Sequence, residues 1–140
     1  MSLLEDMHVL KKIIDNPLAR IAKETDLTVN EIRVLLFLYE NEKFDLASEI
    51  VEKLMISKAH VSVSVEQLVS KEYIKKVQDE NDKKKFHLKL TSNSKGVLDL
   101  LDIEIEKLKA DLLEGVSKEE REVFVKTLKK IIQNTKDLIS

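Results

Sequence analysis

Residues 82–91 read Asp82-Lys83-Lys84-Lys85-Phe86-His87-Leu88-Lys89-Leu90-Thr91, and this stretch decides the fold. After three consecutive lysines, Phe86, Leu88 and Leu90 alternate with His87, Lys89 and Thr91, the period of two expected of a strand with one covered face. Upstream, Tyr73-Ile74-Lys75-Lys76-Val77 alternates in the same way. The link between them, Gln78 to Lys85, is polar throughout and holds Asn81-Asp82 as a turn. Two alternating runs around such a link predict a β-hairpin with a charged tip.

Everything outside the hairpin has a helical period. Leu3, Met7, Leu10, Ile14, Leu18 and Ile21 form an amphipathic stripe, which Pro17 is expected to kink or split near its preceding turn. Thr28-Val29-Asn30-Glu31 has the spacing of a capping box and is followed by the apolar run Ile32 to Tyr39, predicting a helix over about 28–41. Asp45 is expected to cap a short helix with Leu46, Ile50, Val51 and Leu54 facing inward, and Ser57 to cap another with Val61, Val65, Leu68 and Val69 inward. Beyond the hairpin, Val97, Leu101, Ile105, Leu108 and Leu112 mark a helix that ends at Gly115. Ser117-Lys118-Glu119-Glu120 is a second capping box and opens a last helix carrying Phe124, Leu128, Ile131 and Leu138. Helix, turn, helix and then hairpin is the order of a winged helix-turn-helix domain, a more specific signal than either part alone.

Composition agrees with a mostly α chain. Its 140 residues suit one domain or one domain plus an extension, and two Gly and a single Pro favour long helices over a barrel or sandwich. With no Cys, thiolate nucleophiles, thiolate metal sites and disulfides are excluded. The N-terminal segment carries Glu5 and Asp6 within its apolar stretch, no run approaches a membrane span, and a cytoplasmic protein without membrane partner is expected. No nucleophile elbow, carboxylate pair or Gly-rich phosphate loop stands out, so neither an enzyme nor a cofactor is expected. His8, His60 and His87 lack ligand partners at helical spacing, so no metal site is expected either; His60 reads as a contact residue and His87 as a surface residue of the hairpin. The aromatic residues Phe37, Tyr39, Phe44, Tyr73, Phe86 and Phe124 read as core.

The net charge of −2 hides a split. Residues 53–89 hold nine Lys against five Asp or Glu, whereas residues 1–52 carry six basic against eleven acidic groups. A cationic window of this kind is what a local anion-binding surface requires. The helix opening at Ser57 offers Lys58, His60, Ser62, Ser64 and Gln67 on its outer positions and stays free of acid until Glu66, which suits entry into a major groove. Its N-terminus aims unpaired N–H groups at phosphates, and Lys83, Lys84 and Lys85 on a narrow ribbon could reach phosphates beside it.

The order of elements resembles the MarR family of dimeric winged-helix transcription regulators. The segments that carry the resemblance are Leu27-Thr28 with its following helix, Ser57-Lys58-Ala59-His60-Val61-Ser62, and Asp82-Lys83-Lys84 closing on Leu88-Lys89-Leu90-Thr91. The resemblance implies a winged helix-turn-helix lobe at residues 27–91 and a helical dimerisation region built from residues 1–26 and 92–140. It implies double-stranded DNA as partner, repression as the mode of regulation, and a small-molecule effector bound between the dimerisation helices and the lobe, with Tyr39 and Phe44 among its lining. Ser57, Lys58, His60 and Ser62 then approach the major groove, and Lys84, flanked by Lys83 and Lys85, takes the wing place where the family usually has Arg. The chain departs from the family at Val63, where a polar contact residue is common, at Glu72, which replaces a Gly, and at Ser92-Asn93-Ser94, which lengthens the link after the wing. The competing reading of the residues is a helical dimer whose hairpin binds an acidic protein partner instead of DNA.

Overall fold

The computed structural model describes residues 2–139. The elements run α1 (Leu3–Glu24), α2 (Val29–Glu40), α3 (Ala47–Leu54), α4 (Lys58–Ser70), β1 (Ile74–Gln78), β2 (Phe86–Leu90), a 3-10 turn (Ser92–Ser94), α5 (Lys95–Leu112) and α6 (Lys118–Ile139). Two compact units are distinguished, Met1–Glu106 and Lys107–Ser140.

Local chemistry sets most of the boundaries. Thr28 Oγ1 accepts from the Glu31 N–H while the Glu31 carboxylate accepts from the Thr28 N–H, which closes the predicted capping box at the start of α2. Ser117 and Glu120 do the same for α6. Ser57 Oγ accepts from the His60 N–H and starts α4. The turn between α3 and α4 is made by Met55 in the left-handed region, φ 54°. β1 and β2 pair antiparallel with Ile74 opposite Leu90 and Gln78 opposite Phe86.

The core of the first unit gathers Leu18 and Ile21 of α1, Ile32, Val34, Leu35 and Phe37 of α2, Ile50 of α3, Val61, Val65 and Leu68 of α4, and Ile74 and Leu88 of the hairpin. Val97, Leu98 and Leu101 of α5 complete it. At roughly 1.5–3 kcal/mol for each large apolar side chain buried, this cluster supplies the main driving force for folding. Glu31 is buried with it at 2% exposure, and Lys71 Nζ lies 2.7 Å from its carboxylate. Burial alone would raise the Glu31 pKa, but hydrogen bonds from Lys71 and Thr28 outweigh burial and hold it below the usual range. The pair ties the end of α4 to the start of α2.

Several expectations are corrected. Pro17 does not split α1, which runs unbroken from Leu3 to Glu24; the ring is buried beside Leu18, and packing there offsets the missing backbone donor. Asp45 does not cap α3: the N-cap position is Leu46, whose N–H donates to Glu49 Oε1, and the Asp45 carboxylate turns to the hairpin instead. Of the six aromatics only Phe37 is buried; Tyr39, Phe44, Phe86 and Phe124 are exposed and Tyr73 is half-buried. The longer link after the wing is absorbed as the 3-10 turn, with Ser94 buried and its hydroxyl donating to the Thr91 carbonyl. Among the described residues, no helix is long and apolar enough to cross a membrane.

Glu72 occupies the left-handed region at φ 64°, the place where the sequence lacks a glycine. Its carbonyl accepts from Thr91 Oγ1 and from Asn93 Nδ2, so the residues that follow the wing hold the strained turn in place.

Candidate nucleic-acid interface

Three elements of the first unit, α3, α4 and the hairpin, enclose an open cleft of about 520 Å³. Its rim carries Lys58 and Ser62 from α4, Lys76 from β1, and Lys84 and Lys85 from the turn, around a floor of Val61, Val65 and Leu88. Lys76, Lys83, Lys84 and Lys85 are exposed, and among the described residues they form no ion pair. Lys71 and Lys89 are instead engaged with Glu31 and Asp45. Two lysines of residues 53–89 are thus neutralised by Glu31 and Asp45, acids from outside that window, while Lys58, Lys76, Lys84 and Lys85 line the cleft together with the single acid Glu66.

The α4 surface has a definite order. His60, Val63 and Gln67, one and two helical turns apart, share an exposed stripe with Ser62 beside them. Ser57 Oγ accepts from the His60 N–H and lies 2.9 Å from His60 Nδ1, so the two side chains at the start of α4 are hydrogen-bonded to each other. Val63 is 59% exposed, an apolar side chain held in water on the same face.

The structure brings Lys58, Ser62, Lys84 and Lys85 together around one cleft and leaves Ser57, His60, Gln67 and Lys83 on the surface near it in sequence. Ser64 departs from expectation. It is buried at 5% exposure and points into the core, because it falls on the same helical side as Val61, Val65 and Leu68. Lys76, which the ladder register sets opposite Leu88, is the basic residue of the cleft that sequence reading passed over.

The turn that presents the lysines is built from backbone and carboxylates. Asp79 Oδ2 accepts from the N–H groups of Asn81 and Asp82, and Asp82 Oδ1 accepts from the Lys84 N–H. Gln78 Nε2 donates to the Lys83 carbonyl. None of these bonds uses a lysine ammonium, so the cations are displayed without being needed to form the turn.

His87 lies half-buried on the hairpin and is engaged at both ring nitrogens. Its Nδ1 lies 2.6 Å from Asp45 Oδ1 and its Nε2 lies 2.7 Å from Asp79 Oδ1. The hydrogen bond to Asp45, and then that to Asp79, raise the His87 pKa above 6.5. Burial would raise the Asp45 pKa, but the bonds from His87 and Lys89 lower it below 3.8, and the His87 bond lowers that of Asp79 likewise.

Residues 25–85 match the family model described as MarR family. No curated protein matches the chain. Among solved structures, a protein from Listeria monocytogenes described as a MarR family transcriptional regulator, complexed with 26mer DNA, is similar at TM-score 0.86 and 26% identity. The match covers 98% of this chain and 91% of that one. A SlyA-like transcription regulator from the same organism is similar at TM-score 0.82 and 26% identity, over 98% and 91% of the two chains. The apo MarR of E. coli, at 19% identity and TM-score 0.71, shares the fold over 94% of this chain and 96% of its own.

Proposed function

We propose that the chain, whose residues 25–85 match the family model described as MarR family, is a dimeric, sequence-specific DNA-binding regulator of transcription. One observation carries the reading: Lys58 and Ser62 of α4 share a single cleft with Lys76, Lys84 and Lys85 of the hairpin, and those hairpin lysines are unpaired. A duplex whose major groove takes α4 brings its flanking phosphates to that hairpin. In this arrangement His60, Ser62 and Gln67 read base edges, Val63 meets a thymine methyl, and Ser57, Lys58, Lys83, Lys84 and Lys85 bind phosphates or the adjacent minor groove. The DNA complex of the Listeria protein supports the same mode of use for a similar lobe.

Dimerisation is supported by the apolar faces left open in each unit. On α1, Leu3, Leu4, Met7, Leu10 and Ile14 are exposed. On α6 no described residue is buried, and Phe124, Leu128, Ile131, Ile132 and Ile139 form an apolar face in water. A second copy of the chain is the partner that covers such faces with two-fold symmetry. The dimer then presents two α4 helices to half-sites about one helical turn apart. Repression by occlusion of a promoter is the simplest output, and an effector that favours another spacing of the lobes would relieve it.

Selection from a pool of random duplexes tests this function. The expected winners contain two-fold-related half-sites spaced by about one helical turn, or roughly 10 base pairs. Failure to enrich any sequence over the starting pool, with the protein folded and dimeric, would contradict sequence-specific binding.

A further inference from the structure

The Asp45–His87–Asp79 bridge lies outside the DNA-facing residues, yet it joins the entrance of α3 to the turn that carries the lysines. Asp45 grips β2 at three points: its carbonyl accepts from the Leu88 N–H at 2.8 Å, and its carboxylate accepts from His87 and from Lys89 Nζ at 2.6 and 2.7 Å. From the opposite edge of the His87 ring, Nε2 reaches Asp79, which closes the turn by accepting from Asn81 and Asp82 and by donating its own N–H to the Lys85 carbonyl. The two carboxylates stand on opposite sides of the imidazole and do not converge on one point, and among the described residues no group is arranged to hold a metal.

We propose that His87 is a positioning residue for DNA binding: bridged by both ring nitrogens between Asp45 and Asp79, it latches the wing turn to the α3 entrance and so sets where Lys83, Lys84 and Lys85 stand relative to α4. The inference rests on the DNA-binding reading above. It follows from donor and acceptor arithmetic. Ionised carboxylates only accept, so both ring nitrogens must donate, and the bridge is complete only for the doubly protonated ring. The groups that face it are Asp45 from the α3 side, Asp79 from the turn, Lys89 on β2, and Lys75 opposite Lys89 on β1.

The direction with pH follows. His87 is raised, so its part of the bridge is full below the unfolded value of 6.5 and is lost as pH rises through the higher folded one. Asp45 and Asp79 are lowered, so theirs is present above 3.8 and lost only as pH falls through the lower folded values. On the alkaline side the ring gives up one donor and with it one of its two carboxylate bonds; the Leu88 and Lys89 bonds to Asp45 hold β2 in place, and the turn that carries the lysines is no longer tied to the α3 entrance through the ring.

Two measurements on the full chain decide the matter. The first is the ring-nitrogen NMR titration of His87, which involves no DNA: the expected midpoint lies above 6.5 and falls in the Asp79→Asn variant. A midpoint at or below 6.5, or one that Asp79→Asn leaves in place, overturns the latch. The second is duplex affinity at about pH 6 and about pH 8.5 for wild type and His87→Gln, where the wild type is expected to weaken about three- to tenfold more than the variant across that range. Every other residue is common to both proteins, so the comparison isolates the contribution of residue 87. Equal pH ratios overturn the positioning role. A protein that binds no duplex at any pH, yet shows the raised and Asp79-dependent His87 midpoint, keeps the latch and loses the DNA reading.

Discussion

Replacing Lys84 by Ala isolates the phosphate contribution of the wing. The Lys84 side chain is exposed and unpaired, while its backbone N–H donates to Asp82 Oδ1 at 2.9 Å, a bond that alanine keeps. The turn should therefore survive and only the charge be lost. Each phosphate contact contributes about 0.9 to the slope of log affinity against log salt, and a dimer has two wings, so the variant should lose about 1.8 units of slope. Between about 50 and 200 mM salt this makes the wild type fall about tenfold further in affinity than the variant. Fluorescence anisotropy with a labelled duplex measures both slopes, and a scrambled duplex should report the same loss because phosphates carry no sequence. If Lys84→Ala weakened binding equally at both salts, with the slope untouched, the residue would not be a phosphate contact and the wing assignment would be wrong.

Three further outcomes are expected. Lys71→Met leaves the Glu31 carboxylate buried without its cation, and since Lys71 is itself a quarter exposed the loss should be about 2–3 kcal/mol, below the full cost of breaking a buried pair. Thermal unfolding should show this as a drop of several degrees, most of it restored in the Glu31→Gln/Lys71→Met double variant. Glu72→Gly relaxes the left-handed backbone at φ 64° and should leave stability unchanged or raise it by up to about 1 kcal/mol in urea, whereas Glu72→Val should lower it. Ile131→Glu places a charge on the open face of α6, and sedimentation should show dissociation to monomers with an unchanged helical content; a dimer that persists would place the two-fold interface elsewhere.

Local signals in the sequence were enough wherever the interaction itself is local. The Thr28–Glu31 and Ser117–Glu120 boxes join residues three apart and appear as read, and the Phe86–Leu90 alternation turns Leu88 inward, but Tyr73–Val77 does not alternate in burial: Ile74 alone of β1 is buried, and Val77 is exposed. Asp45 misled because an acid just before an apolar run is also the pattern of a cap, and its actual partners, His87 and Lys89, lie more than forty residues away. Ser64 was placed on the outer side by its polarity, but the helical angle it shares with Val61 and Leu68 governs, and a small hydroxyl is tolerated there. Helical or strand spacing points the aromatic residues to the core, whereas Phe44 lies on the surface with the Lys53 ammonium 4.0 Å from its ring centroid. The cationic window was visible as a count of charges; which lysines remain free depended on the ion pairs that only the fold creates.

The most direct test of the central claim is the affinity of the purified protein for a duplex from its own upstream region and for a scrambled duplex of equal length, each at about 50 and 200 mM salt, where phosphate-driven binding weakens steeply. Tighter binding to the upstream duplex, with a steep salt slope for both, is the predicted result. Absence of binding to either duplex at the lower salt would contradict the account and leave the cationic cleft to be explained by an acidic protein partner.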